Sequence, residues 1–185
     1  MSKKQPVATI KVDVNRTAAI KEALQRLKKT AVYIGIPADS DADKRKKGTV
    51  TNSDLGYIHE FGSETAGIPP RPFLKPGVES AKGDLKAQMR AAAKAALQKD
   101  DSRMDAHLQE AADKGRDAVK NYLRTADLEP IKVSTAANRW RDRQTADLRK
   151  GELDAMKTGS TSGLRPLINT GQLLNSITGV VVEEE

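Results

Sequence analysis

The residues whose types could support chemistry are few, and their spacing ties them to little. His59 stands beside Glu60, and a carboxylate next to an imidazole can orient a general base. No Ser, Cys or Asp is tied to this pair by spacing. Ser63 stands where an H-E-x-x-H zinc helix would need its second histidine. A structural role for His59 is the favoured reading. The chain has two histidines, His59 and His107, far apart, and no cysteine. A zinc enzyme built on histidines is therefore not expected, nor a thiolate metal site, a thiol nucleophile or a disulfide framework. Asp39, Asp41 and Asp43 echo the opening of a calcium loop. Glycine falls late, at Gly48, and Val50 stands where the closing glutamate belongs. The cluster Lys44, Arg45, Lys46 and Lys47 could meet phosphates, and it resembles a nuclear localisation patch. The aspartates before it cancel much of that field, which favours a solvated loop. Gly35 and Gly48 fit no phosphate-binding pattern. Arg139, Arg141 and Arg143 surround Trp140, which leaves two readings open: an anion-binding or stacking surface, or a surface helix with one anchoring tryptophan. From this inventory no catalytic residue, metal or cofactor is expected, and the chain is not expected to be an enzyme.

The elements that must position these residues are written in the hydrophobic pattern. The 185 residues suit one ordinary domain; Leu, Ile, Val and Phe supply about 20% of them and aromatics 3%. That lies at the edge of disordered compositions, but a net charge of +7 is small for the length. The abundant alanine points instead to long helices with thin apolar faces. A core so shallow leaves burial for partners to complete. No apolar run is long enough to span a membrane. No apolar segment follows Met1-Ser-Lys-Lys, so no secretory signal is expected and synthesis in a cytoplasm is.

Residues 7–14 alternate, with Ala8, Ile10, Val12 and Val14 on one side, as in a half-buried strand. Asn15 can cap a helix over about 16–29, whose Ile20, Ala23, Leu24 and Leu27 form one face. Residues 31–36 read as a second strand ended by Pro37, residues 38–53 as a polar loop, and residues 55–61 as a short helix. Gly67, Pro69, Pro70 and Pro72 punctuate a loop over 62–72. The spacing then predicts two long helices, about 75–98 and 102–125, or one bent helix. Pro76 suits the first turn, and Ser102 with Asp105 forms a weak capping box. A short helix plus loop follows over 134–149, a flexible segment near 151–165 and a last strand over 177–182. The expected fold is one α+β domain over residues 1–185. In it a small mixed or antiparallel sheet of strands 7–14, 31–36 and 177–182 is packed by one short helix and two long helices.

The stretch from Tyr57 to Val78 is the most informative. It carries Ile58-His-Glu-Phe-Gly62, then Ile68-Pro-Pro-Arg-Pro-Phe-Leu74, then Pro76-Gly-Val78. Val32-Tyr-Ile-Gly-Ile-Pro37 precedes it, and Arg165-Pro-Leu-Ile-Asn-Thr-Gly-Gln-Leu-Leu-Asn-Ser-Ile177 follows. In order and spacing, over about residues 30–182, these pieces resemble the tail completion or neck proteins of tailed bacteriophages. That family of virion morphogenesis proteins includes minor tail proteins similar to protein Z of phage lambda. Its C-terminal signature usually reads Pro-Leu-x-Asp-Thr-Gly-x-Leu, and Asn169 here replaces the aspartate.

The resemblance implies a structural virion protein of the head–tail joint, a ring of six copies in keeping with the sixfold tail, that links the tail to the head connector. A phage tail terminator or head-closure protein is the alternative. The implied partners are other copies of the chain and neighbouring head-connector, tail-terminator or tail-tube proteins. Packaged DNA is left open as a neighbour, and no membrane is involved. The protein would sit in the virion tail or neck after assembly in the bacterial host cytoplasm. Rings need heterologous contacts, one face of each subunit meeting a different face of the next. The residues suggest where. Arg71 lies between Pro70 and Pro72 in extended, stiff backbone, and a preorganised loop loses little entropy on docking. Ile68, Pro69, Pro70 and Arg71 are the expected subunit interface, with an intrachain role for Arg71 as the alternative. Phe61 and Phe73, the two phenylalanines, are expected to pin the loop ends to the core. A basic nucleic-acid-binding protein is the remaining reading. Residues 1–50 hold the excess of Lys and Arg, so the charge is not focused on one recognition helix.

Overall fold

The computed structural model describes residues 15–38, 50–142, 146–161 and 163–184. The strand expected at 7–14, the aspartate and lysine clusters of 39–47, and Arg143 lie outside the described residues. Helix α1 (Asn15–Lys29) runs without a loop into strand β1 (Thr30–Gly35). Helices α2 (Asn52–Phe61), α3 (Leu74–Ser80), α4 (Lys82–Leu97) and α5 (Asp101–Thr125) follow. Then come α6 (Val133–Asp142), α7 (Ala146–Thr158), the short α8 (Gln172–Ser176) and strand β2 (Thr178–Glu183). The fold is α+β, and the sheet takes the antiparallel option. Strand β1 pairs with β2 from Thr30 opposite Glu183 to Gly35 opposite Thr178, closing the described chain end on end. Among the described residues no helix is long and apolar enough to cross a membrane.

The sheet lies on α5 because two glycines let it. A methyl on Gly179 would lie 2.6 Å from the carbonyl carbon of Ala112, so the β2 backbone rests on the helix backbone. Gly115 opens the matching hollow for the side chain of Ile34. Alternation then turns Val32 and Val181 toward the α4–α5 pair. There they meet a cluster of Ala92, Ala95, Ala96, Met104 and Leu108, closed from above by Ala23 and Leu27 of α1. With alanine at so many contact positions the helices approach closely and bury little each. A second cluster joins Phe73, Val119, Leu123, Leu167, Leu173, Leu174 and Ile177. A third, small one of Ile131, Ala136 and Ala155 holds α6 to α7.

Several boundaries differ from the sequence reading. The first long helix is broken at Ala81, which stands outside helical geometry (φ −98, ψ 5) between α3 and α4. Its cause is tertiary. Gly77 seats α3 directly on α5, where a methyl would lie 2.7 Å from the Cα of Val119. Ser80 turns its hydroxyl back to the Gly77 carbonyl at 2.6 Å, a competitor of helix bonding. Helix α5 is capped by Asp100, which accepts from the Arg103 amide at 3.0 Å, rather than by Ser102. Asp105 points instead to Arg26 of α1. Helix α2 starts earlier than expected, with a capping box in which Thr51 and Asp54 bond each other's backbone amides. The segment near 151–165 is helical as far as Thr158, and Glu152 and Ala155 are buried in it.

Candidate interaction surface

The loop between α2 and α3 is held at both ends by side chains of its own motif. Glu60, near the end of α2, reaches across the loop to the start of α3. Its Oε2 accepts from the amides of Phe73 (2.8 Å) and Leu74 (2.9 Å), and its Oε1 accepts from Lys75 (3.0 Å). These are the orphan donors of a helix N-terminus, and a carboxylate there is favoured by both hydrogen bonding and the helix dipole. Glu60 therefore does not orient His59 as a base would require. The His59 carbonyl accepts from the Arg71 amide at 2.7 Å, which pins the return of the loop to α2. In between, Ser63 and Ile68 exchange both backbone bonds at 2.9 Å, and Gly62 and Gly67 take positive φ (79° and 59°) to make the turns.

Arg71 is buried at 7% exposure. Its Nε donates to the Glu129 carbonyl at 2.6 Å and its Nη2 to the Pro130 carbonyl at 2.9 Å. It thus ties the loop to the segment leaving α5, within its own chain. Ile68 and Pro69 are half-buried, whereas Glu64, Thr65, Ala66, Gly67, Pro70 and Pro72 are exposed. Whatever surface the loop offers to another molecule is built by those residues, with the arginine head facing inward. Phe73 pins its end of the loop, at 1% exposure. Phe61 does not: it is 67% exposed and meets Tyr57, itself exposed, with ring centres 4.8 Å apart and planes tilted by 47°. The phase of α2 decides this. Asn52 and Gly56 face inward, Gly56 against the side chain of Ile36, and Tyr57 and Phe61 fall on the outer side. Between α2, α3 and the end of β1 runs an apolar groove of about 500 Å³, lined by Ile34, Ile36, Tyr57, Phe61, Phe73 and Val78.

Arg139 does for the C-terminal signature what Arg71 does for the loop. It donates through Nη1 to the Arg165 carbonyl at 2.9 Å and through Nη2 to the Pro166 carbonyl. Arg141 bonds Asn138 on the same helix, and Trp140 is half-buried. The arginines on either side of the tryptophan therefore do not converge on one anion. His59, Arg139 and Pro166 line a common cavity, while His107 lies elsewhere, its Nδ1 at 2.8 Å from Gln88 Oε1. No protein-family model, curated protein or solved structure matches the chain significantly.

Sequence reasoning missed two supports. The role of Glu60 was readable in principle, because an acidic residue placed before a Pro-rich loop and a helix start can cap that helix. The role of Arg71 toward residues 129–130 carries no local signal, since its partners are carbonyls about 60 positions away.

Proposed function

We propose that the chain is a structural protein of the bacteriophage head–tail joint, a tail completion or neck subunit that assembles with copies of itself into a ring. One observation supports this reading above the others. The three sequence pieces that resemble that family are far apart in the chain and meet in one core. Ile34 and Ile36, Phe73 with Leu74 and Val78, and Leu167, Leu173, Leu174 and Ile177 pack together. Glu60 and Arg71 within these pieces, and Arg139 of α6 beside them, hold backbone with their charged side chains. A motif set that is consistent at the level of packing is what a family signature requires. Exposed Tyr57, Phe61, Tyr33, Val180 and Val182 add apolar surface for neighbours to cover. The nucleic-acid reading is the weaker one, because Arg139 faces its own carbonyls.

Native mass spectrometry with negative-stain microscopy of the purified chain tests the proposal. A closed ring, six copies being expected, supports it. A monomer that retards duplex DNA in a salt-dependent manner favours nucleic-acid binding instead.

A further inference from the structure

We propose that residues 7–14 of one copy add as a third strand to the β1–β2 sheet of a second copy. This rests on the self-assembly reading above. The sheet has two strands among the described residues, and no backbone hydrogen bond joins either outer edge to another described element. A two-stranded ribbon is marginal on its own, and an open edge is a template for pairing. Its outer face carries Tyr33, Val180 and Val182 at 51%, 40% and 40% exposure. Residues 7–14 supply the matching chemistry: alternation with Ala8, Ile10, Val12 and Val14 on one side.

The direction of α1 decides whose sheet they meet. Near its C-terminal end α1 packs Ala23 and Leu27 on the α4–α5 pair, and Arg26 bridges Asp101 at 2.5 Å and Asp105 at 3.2 Å beside the α4–α5 turn. Thr17, Ala18, Ile20 and Lys21 are all exposed, so the helix leaves the body over that turn. Fifteen residues of helix put Asn15 about 22 Å from Thr30. Residues 7–14, fully extended, span about 26 Å. Folded back along α1, they would end level with Thr30 and could not run beside Thr30–Gly35. The chain's own sheet is out of reach, while the sheet of a neighbouring copy is not.

The absence of native cysteine makes a direct test possible. Full-length Ile10→Cys is mixed with Tyr33→Cys or with Val180→Cys, each of different mass by an affinity tag, and oxidised. Tyr33 and Val180 lie on the outer face of the sheet, and Ile10 belongs to the apolar side of the 7–14 alternation that would join that face. The expected product is the mixed disulfide of one chain of each kind, in at least one of the two mixtures. Absence of that product in both mixtures overturns strand exchange, as does a link that forms only inside a chain carrying both cysteines. In parallel, Ile10→Asp with Val12→Asp is expected to convert the ring to monomer with its helical circular dichroism kept. A ring that persists in this variant overturns the exchange and leaves self-assembly standing. A native chain that stays monomeric overturns both.

Discussion

Replacing Arg71 by alanine is expected to destabilise the fold of the chain itself. The guanidinium is buried and donates to two backbone carbonyls, Glu129 at 2.6 Å and Pro130 at 2.9 Å. Hydrogen bonds to charged groups contribute roughly 1.5–3 kcal/mol each, so two bonds bound the loss at roughly 3–6 kcal/mol. The arginine also borders a water-accessible cavity of about 320 Å³ beside Ile68, Pro69 and Lys132. Water entering there can serve both carbonyls, which places the expected loss near the lower bound, about 3 kcal/mol. At about 2–4 °C per kcal/mol for a chain of this size, Tm should fall by roughly 6–12 °C. Arg71→Lys keeps a charge but replaces a planar fork by a single point, and it should recover about half of the loss. Urea unfolding followed by circular dichroism measures all three proteins. A loss below about 0.5 kcal/mol for Arg71→Ala would refute the intrachain role. Unchanged stability with failed assembly would return the arginine to a subunit interface.

Three further outcomes are expected. Glu60→Ala should cost about 2–3 kcal/mol, because three amides at the start of α3 lose a charged acceptor, and Glu60→Gln about 1 kcal/mol, read as shifts of the urea midpoint. Gly179→Ala should cost more than about 2 kcal/mol, since the methyl meets backbone that cannot rotate away; a neutral result in thermal unfolding would contradict the close seating of β2 on α5. The Tyr33 hydroxyl donates to Glu184, and that bond, followed by the carboxylate's charge, raises its pKa above the ordinary phenol value. A raised pKa in the folded state means a contribution present below the unfolded phenol value and lost as pH rises through the folded one. Tyr33→Phe should accordingly remove a phenolate absorbance step above about pH 10 and lose the bond's contribution at neutral pH as well, a small loss because the pair is exposed to solvent.

What the sequence revealed follows physical lines. Helix α1, both described strands and α5 are readable because period is set locally: Ile20, Ala23, Leu24 and Leu27 repeat as a helix face, and 31–36 is a short apolar run before a proline. The cap of α2 was equally local, in Thr51 and Asp54, and could have been found. The break at Ala81 was not readable, because it arises where Gly77 meets Val119 of another helix. The start of α5 was read to within a residue, but its cap was misassigned for a related reason: Asp105 is drawn to Arg26, far away in sequence, and Asp100 supplies the cap. Phe61 reads as core by its chemistry, yet glycine at position 56 marks the inward side of α2 and sends Phe61 outward. The Gly- and Ser-rich composition that suggests flexibility begins only at Gly159, past the end of α7.

The candidate surface shows why a chain with so few aromatics uses charge to hold its loops. Apolar packing can fix a loop only where a large side chain reaches the core, and Phe73 is the one such anchor between α2 and α3. Apart from the half-buried Ile68, the remaining loop residues are small, polar or proline. Here the long arms of Glu60, Arg71 and Arg139 take the place of missing apolar anchors, each bonding two or three backbone groups that would otherwise be unmatched. Such struts orient the loop more sharply than apolar contact, because hydrogen bonds weaken steeply with misalignment. They also turn the charged heads inward. The outward faces of the loop and of α2 are left to Pro70, Pro72, Tyr57 and Phe61, stiff or apolar residues whose burial against a neighbour would meet little opposing desolvation. The charges of Glu60, which invites a catalytic reading beside His59, and of Arg71, which invites an interface reading, therefore act as internal fasteners, and the adjacent surface of Pro70, Pro72, Tyr57 and Phe61 is the part fitted for contact.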